Sequence, residues 1–329
     1  MSGTMEDRLA KIFSQTTEAE RAEIDRAASF IRAGRLVAIP TETVYGLGAN
    51  ALDAEAVKSI YEAKGRPSDN PLILHVCSME MADSVVKLND RARFLMEKFW
   101  PGPLSMVLFA RGVVPLRTRG GLETAAIRMP DNRLTLELIR ASGVPIAAPS
   151  ANISGRPSPT DAQTVRDDVG GKIAAILDGG ECRVGVESTV IDLTGDKVVL
   201  LRPGGLAKED IEAALGLTVA LPQDGSNIIK RSPGTRYRHY APVIPLFVAE
   251  QATEELIKGR KWAWMGMSEP PGSPVAKIIF ASQSKYAREL FRAMRTLEKS
   301  GAELIIAEKT DSSRIGRAIM ERLTRASGI

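Results

Sequence analysis

Residues 35–50, which read RLVAIPTETVYGLGAN, decide the fold. The largely apolar stretch 35–40 predicts a short buried strand, and the polar, glycine-containing stretch 41–50 predicts a loop. Residues 17–33 precede them and predict an amphipathic helix, because a Thr-x-x-Glu capping box begins it and a glycine follows it. Asp53 follows them and predicts the N-cap of a second helix. A strand between two helices indicates an α/β fold.

The same alternation continues along the chain. Further strands are predicted at residues 72–77, 104–110, 124–129, 144–148, 173–177, 188–193 and 198–201, with helices near 88–99, 133–142 and 160–168. This many strands interleaved with helices predicts a mixed, twisted sheet with helical cover.

The composition changes at residues 222–242, where glycine, proline, serine and cations replace periodic apolar residues. We therefore predict a domain over 1–221, a linker or lid over 222–242, and a small Rossmann-like parallel α/β domain over 243–329. The last domain has no G-x-G-x-x-G after its first strand. We expect it to support the first domain without contributing chemistry, and residues 1–245 to fold alone and keep the binding site of the first domain.

Composition excludes several functional classes. The 329 residues are 44% hydrophobic and 26% charged, with a net charge of +4, which is typical of a globular and only slightly cationic protein. The two cysteines are far apart, so neither a disulfide framework nor a zinc ribbon is predicted. No apolar stretch approaches the ~18 residues of a membrane span. We expect a cytoplasmic protein that does not contact membranes.

Polar and cationic residues follow several predicted strands and helices. Thr41 and Thr43 follow the first strand, and Lys64 and Arg66 follow the second helix, where a compact charge and a bidentate fork suit a polyphosphate. The alternatives are that the threonines form a turn and that the cations only complement a helix dipole. Because further small polar residues follow later strands, a phosphate-binding cavity in one sheet is the better explanation. We expect the two cations to lie at an exposed helix end.

Long motifs extend this pattern and carry a resemblance. They are PTETVYGLG (40–48), KGRPSDNPL (64–72), PGPLS (101–105), AIRMP (126–130), PSANISG (149–155), ESTVID (187–192), LRPG (201–204) and SPGTRYRHYAP (232–242). In this order they resemble the threonylcarbamoyl-AMP synthase family, whose synthase module is a YrdC-like domain. The resemblance is closest over residues 15–215, and the last motif resembles the linker of two-domain members.

The resemblance implies a reaction of threonine, bicarbonate or CO2, and ATP that gives threonylcarbamoyl-AMP and pyrophosphate, with Mg²⁺ bound through the ATP phosphates and no metal ligands on the protein. A separate tRNA threonylcarbamoyl transferase then uses the product next to the anticodon. By position, the residues that resemble the threonine-side contacts are Thr43, His75, Arg128, Ala148 and Ser188. Those that resemble the nucleotide side are Lys64, Arg66, Asn70, Thr124, Ser150, Asn152, Ser158, Arg202 and Tyr240, of which Lys64 and Arg66 are the predicted catalytic pair.

Other functions remain open at this point. The same cationic cavity would suit a non-catalytic RNA-binding protein, although weak RNA binding is all that a net charge of +4 and 5% aromatic residues favour. A hydrolase of the adenylate would release AMP directly. His75 alone in a strand is more often a core residue than a catalytic one, and Cys182 has no histidine near it in the sequence.

Overall fold

A computed structural model of the chain describes residues 4–13, 16–222, 231 and 239–327. Its helices are α1 (Met5–Phe13), α2 (Glu18–Arg32), α3 (Ala54–Lys64), α4 (Met79–Val85), α5 (Asp90–Phe99), α6 (Arg133–Ser142), α7 (Ala162–Val169), α8 (Lys208–Leu215), α9 (Glu254–Ile257), α10 (Gln283–Leu297) and α11 (Arg314–Ser327). Its strands are β1 (Val37–Ile39), β2 (Gly46–Asn50), β3 (Ile73–His75), β4 (Leu104–Phe109), β5 (Thr124–Arg128), β6 (Ile146–Ala147), β7 (Ala175–Ile176), β8 (Thr189–Asp192), β9 (Val199–Arg202), β10 (Leu246–Ala249), β11 (Trp262–Gly266), β12 (Ala276–Ile279) and β13 (Leu304–Glu308).

The first nine strands form one mixed sheet, in the order β7-β1-β2-β6-β3-β5-β4-β8-β9. Strand β5 runs parallel to β3 and antiparallel to β4, which confirms the predicted mixed sheet. Strands β10 to β13 form a separate sheet in the order β10-β13-β11-β12, in which every neighbouring pair is parallel. The predicted second α/β unit is therefore present. Most of the predicted linker over 222–242 lies outside the described residues.

The loop predicted over 41–50 is wrong for its second half, because Gly46–Asn50 is strand β2. It runs antiparallel to β1, with Gly48 opposite Val37. A Cβ atom at Gly48 would lie 2.9 Å from the side chain of Ile146 and 3.0 Å from the carbonyl oxygen of Val37. Glycine is present because both neighbouring strands approach closely, and this packing outweighs its low strand propensity. Helices α1, α4 and α8 were also not predicted.

The two units share a buried interface. Val44 and Val186 of the first unit pack in the same apolar cluster as Phe291 of α10 and Ile305 of β13. Within the described part of the chain, seven ion pairs also join the first unit to α10, its C-cap residue Glu298 and α11. They are Arg156–Glu298, Arg288–Glu181, Arg292–Glu181, Arg295–Asp168, Arg314–Asp210, Arg317–Glu209 and Arg322–Glu187. The expectation that residues 1–245 fold alone stays a prediction, and the interface argues against it, because ending the chain at residue 245 would expose this apolar surface and leave buried Glu187 without Arg322.

Candidate active site

A small cavity lies where β2, β3 and β5 meet the segment after β6. Its volume is about 50 Å³. Its walls are formed by Thr41, Thr43, Val44, Gly46, Arg66, Ile73, His75, Arg128, Ala148, Pro149, Ser150, Asn152, Glu187, Ser188, Arg202, His239 and Tyr240. The ends of several strands and the last residues of the linker therefore converge on one point.

The segment after β1 turns tightly and brings Thr41 and Thr43 to the cavity. The Thr41 hydroxyl accepts hydrogen bonds from the backbone amides of Thr43 (3.1 Å) and Val44 (3.2 Å), so Thr41 is the turn former that its residue type favours. The Thr43 hydroxyl accepts a hydrogen bond from Nη1 of Arg128 at 2.9 Å. Tyr45 is fully buried, and its hydroxyl donates to the carbonyl of Gly180 at 2.8 Å. Tyr45 is therefore a core residue, whereas Thr43 belongs to the cavity.

Arg128 is held by a carboxylate that the sequence analysis did not single out. Its Nη2 lies 2.6 Å from Oε2 of Glu42, and both side chains are buried. Its Nε donates to the carbonyl of Gly102 at 3.2 Å. An ionisable residue inside a stretch otherwise read as strand and turn was the one signal for Glu42, because a buried charge requires a partner. The pair fixes the plane of the Arg128 guanidinium at the cavity wall.

Lys64 and Arg66 differ in their position relative to the cavity, since only Arg66 lines it. Lys64 is only 2% exposed, so the expected exposed helix end is wrong for this residue. Its ammonium donates to the carbonyl oxygens of Ser150 and Asn152, both at 2.5 Å, and it does not line the cavity. Burial, followed by the nearby charge of Arg66, lowers the pKa of Lys64 well below its usual value. Arg66 does line the cavity, and burial lowers its pKa to about 10.

The segment after β6 brings small polar groups to the cavity beside Lys64. The Ser150 hydroxyl donates to Oδ1 of Asn152 at 2.5 Å, and both residues line the cavity together with Ala148. The Asn152 amide donates to the carbonyls of Ile153 (2.8 Å) and Arg156 (2.9 Å), which tightens the turn. The Lys64 contacts therefore fix a loop that faces the cavity.

A second set of contacts lies at the start of β8 and the end of β9. Nη2 of Arg202 donates to the carbonyl (2.9 Å) and the hydroxyl (3.1 Å) of Ser188, whose hydroxyl also shares a hydrogen bond of 2.8 Å with Ser105. Beside them, Oε1 of Glu187 accepts from the hydroxyl of Ser158 at 2.6 Å. Glu187 was another residue that the sequence analysis did not select. The result is a buried polar wall with a carboxylate and a guanidinium in adjacent positions.

Three ring side chains complete the walls. His75 and His239 are buried, and this burial lowers the pKa of each imidazole from 6.5 to about 3, so both are neutral at pH 7. Tyr240 is 4% exposed and adopts φ 66°, in the left-handed region that non-glycine residues seldom adopt. Burial raises the pKa of its hydroxyl.

The structure thus brings most of the selected residues together. Those that line the cavity are Thr43, Arg66, His75, Arg128, Ala148, Ser150, Asn152, Ser188, Arg202 and Tyr240. Those that are buried but do not line it are Lys64, Asn70, Thr124 and Ser158. Within the described parts of the chain, no group of three or more His, Cys, Asp or Glu side chains is arranged to hold a metal ion, and no helix has the length and apolar character needed to cross a membrane.

Two family models together match nearly the whole chain. The model described as "Telomere recombination" matches residues 29–204, and the model described as "Threonylcarbamoyl-AMP synthase, C-terminal domain" matches residues 206–328. These matches coincide with the large mixed sheet and with the parallel sheet that follows it.

Curated proteins and solved structures agree with these models. The threonylcarbamoyl-AMP synthase of Pyrococcus abyssi is 48% identical over 327 residues, covering 94% of this chain and 95% of the relative. That of Bacillus subtilis is 45% identical over 322 residues and covers 93% of each chain. The crystal structure of P. abyssi Sua5 complexed with L-threonine matches with a TM-score of 0.87 at 46% identity, covering 94% of this chain and 95% of that one. The chain therefore belongs to the threonylcarbamoyl-AMP synthase family, whose members are enzymes of the nucleotidyltransferase type.

Proposed function

We propose that this chain condenses L-threonine, bicarbonate or CO2, and ATP to threonylcarbamoyl-AMP and pyrophosphate. The observation that supports this most is that three guanidiniums, those of Arg66, Arg128 and Arg202, line one small cavity. The threonine carboxylate, its carbamate and the triphosphate are all anions, and their mutual repulsion opposes the reaction. Fixed cations in a site that excludes water offset that repulsion at low reorganisation cost.

The threonine side of the cavity is proposed to be formed by Thr43, His75, Arg128, Ala148 and Ser188. Arg128 suits the amino-acid carboxylate because its guanidinium is already oriented by Glu42 and offers a bidentate fork. The neutral imidazole of His75 and the methyl group of Ala148 are small, uncharged groups that line the cavity on the same side. The relative from P. abyssi was solved with L-threonine, which supports this side of the assignment.

The nucleotide side is proposed to include Arg66, Ser150, Asn152, Arg202 and Tyr240. Arg66 and Arg202 supply charge for the phosphates, and the small side chains of the 150–152 turn allow the phosphates to approach the backbone closely. Four buried residues do not line the cavity. We propose that they support the residues that do, and they are Lys64, Asn70, Thr124 and Ser158. Contact between Lys64 and a phosphate stays a prediction, since its ammonium is bound to loop carbonyls.

The proposed chemistry has two bond-forming steps. Bicarbonate takes up a proton and loses water to give CO2. The threonine amine then adds to CO2, which forms the N–C bond of the carbamate and releases a proton. A carbamate oxygen then attacks the α-phosphorus, and the bond from that phosphorus to the bridging oxygen breaks as pyrophosphate leaves. Both histidines in the cavity have a pKa of about 3, too low for a general base at pH 7. Positioning and charge are therefore the contributions expected of the protein.

We propose that Mg²⁺ enters on the phosphates of ATP, where it neutralises charge on the leaving pyrophosphate. Among the residues that line the cavity, the carboxylate is that of Glu187, and each of its oxygens already accepts a hydrogen bond, one from Ser158 and the other from Arg322. This donor set suits a metal that is bound mainly by substrate oxygens.

We propose that His239 and Tyr240 cover the bound substrates and that they move to admit them. The cavity of about 50 Å³ holds a few water molecules, whereas sites for drug-sized ligands measure about 300–1,000 Å³. Covering the product protects its mixed anhydride from water. Residues 223–230 and 232–238 of the predicted lid, which include Lys230, Arg236, Tyr237 and Arg238, lie outside the described residues.

The domain boundaries, the location in the cell and the partners of the chain follow from the same proposal. We infer that residues 1–221 carry the synthase site, that 222–242 link the domains, and that 243–329 form the C-terminal domain. We further propose that the reaction occurs in the cytoplasm, in keeping with two unpaired buried cysteines, Cys77 and Cys182. A tRNA threonylcarbamoyl transferase is the expected consumer of the product, with at most weak RNA binding by this chain.

The experiment that tests the function is pyrophosphate release from the full-length protein with Mg-ATP, bicarbonate and threonine. We expect release that requires all three, and little release when serine or no amino acid replaces threonine. Release of AMP and pyrophosphate that does not depend on threonine would contradict the proposal and favour a hydrolase.

A further inference from the structure

One guanidinium of the C-terminal domain lies directly behind the cavity wall. Arg322 of α11 is fully buried, and its Nε donates to Oε2 of Glu187 at 2.7 Å. Its Nη1 donates to the carbonyl of Pro203 at 3.0 Å and also contacts the carboxylate of Glu321. Glu187 lines the cavity, whereas Arg322 does not. Arg322 therefore contacts the wall from the other domain.

The same guanidinium also packs on the tyrosine that covers the cavity. It lies 5.4 Å from the centre of the Tyr240 ring, and that ring also stacks on Phe291 of α10 with centroids 5.2 Å apart. Tyr240 has left-handed backbone, a conformation that persists only where the surroundings fix it. Arg322 and Phe291, both from the C-terminal domain, supply those surroundings.

We propose that Arg322 is a positioning residue of the synthase site, through which the C-terminal domain fixes the Glu187 carboxylate and the Tyr240 ring at the cavity wall. This rests on the proposed function, because its effect is measured on the same reaction. The C-terminal domain, which the sequence predicts to have only a supporting role, thereby supplies a charge on which the arrangement of the site depends.

The charge balance around Glu187 makes this contribution measurable. Burial alone would raise the pKa of Glu187, but the charges of Arg322 and Arg202 hold it below its usual value. The other ionisable groups that interact with Glu187 are Lys64, His239 and Tyr240. Removing Arg322 leaves Arg202 as the main counterion, so the Glu187 pKa rises. The carboxylate then becomes protonated at a higher pH, and activity that needs its charge declines earlier as the pH falls.

The test compares Arg322→Met and Arg322→Lys with the parent protein, together with Glu187→Gln and the double variant Arg322→Met/Glu187→Gln. The matched control is Arg317→Met, because Arg317 lies on the same helix and forms an ion pair of 3.0 Å with Glu209, also across the domain interface but away from the cavity. The readouts are kcat and KM for threonine and ATP, the pH profile of kcat/KM, calorimetric binding of threonine and of ATP, and thermal unfolding.

We expect Arg322→Met to lower kcat/KM by roughly 10- to 100-fold, as loss of one charge-assisted contact does. The acidic limb of the pH profile should move to higher pH, and the double variant should lose no more than the worse single variant. Arg322→Lys should recover part of the loss, and Arg317→Met should match the parent. Folded Arg322 variants with parental kinetics and pH profile, or additive losses in the double variant, would overturn the proposal.

Two further outcomes are decided by the same measurements. If neither Arg322 variant folds, the residue is structural and the proposal is overturned. If the parent itself shows no threonine-dependent turnover, the proposed function fails, and calorimetry still shows whether Arg322→Met weakens threonine or ATP binding as the positioning role requires.

Discussion

Replacing Arg128 with methionine should impair the use of threonine while leaving ATP binding intact. The guanidinium lies 2.9 Å from the Thr43 hydroxyl and 2.6 Å from Glu42, at the side of the cavity assigned to threonine. Losing a charge-assisted contact with the substrate carboxylate costs about 1.5–3 kcal/mol, which is roughly 10- to 150-fold in kcat/KM for threonine. ATP affinity should be unchanged, since Arg66 and Arg202 remain.

Arg128→Met also lowers the stability of the fold, so a second variant is needed to separate this effect from the loss of threonine binding. Without Arg128, the buried carboxylate of Glu42 loses its ion-pair partner, and a broken buried pair costs about 3–5 kcal/mol. The double variant Glu42→Gln/Arg128→Met removes both charges and should recover much of that stability. Its threonine defect should persist, which separates binding from folding.

The assay measures initial rates of pyrophosphate release at varied threonine and fixed ATP and bicarbonate, with calorimetry for ATP and urea unfolding for stability. A folded double variant with the parental KM and kcat for threonine would refute the assignment of Arg128. An equal loss of threonine and ATP affinity would show that the two sides of the cavity are not distinct in the way proposed.

Other predictions follow from the same geometry. Lys64→Met should lower the free energy of unfolding by about 1.5–3 kcal/mol in urea titrations, because the carbonyls beside the cavity lose a charged donor. In the parent, the pKa of His75 falls from 6.5 to about 3 on folding. Between these two pH values the unfolded chain binds a proton that the folded chain does not, so the stability of the folded state should fall as the pH drops from 6.5 to 3. Thermal unfolding measured at stepped pH should show a weaker pH dependence for His75→Gln. Tyr240→Ala should increase the hydrolytic loss of the product, measured as AMP formed per pyrophosphate. Ending the chain at residue 245 should lower solubility and cooperativity of unfolding, whereas a cooperative, ATP-binding fragment would contradict the shared interface.

Much of the fold could be predicted because local pattern and long-range packing agree. Helix α2 has the capping box that its sequence indicates, in which the Thr17 hydroxyl accepts from the backbone of Glu20. Strands β4, β5 and β8 are apolar runs that the sheet buries on both faces, and they formed close to the predicted bounds.

Other features depend on packing that no local pattern reveals. Strand β2 contains two glycines, and its identity follows from the close approach of β1 and β6. Lys64 was expected to be exposed because it ends a helix, but the loop after β6 folds over it and its ammonium satisfies two carbonyls. The partners of Glu42 and Glu187 are 86 and 135 residues away along the chain, respectively Arg128 and Arg322. Only the tertiary fold brings such charges together.

The most direct test of the central claim follows the carbon atom of bicarbonate. The full-length protein is incubated with ¹³C-bicarbonate, threonine and Mg-ATP, and the products are analysed at once by mass spectrometry. We expect threonylcarbamoyl-AMP that carries the label in its carbamoyl carbon, together with an equal amount of pyrophosphate. Unlabelled product, or pyrophosphate and AMP without a threonine adduct, would contradict it.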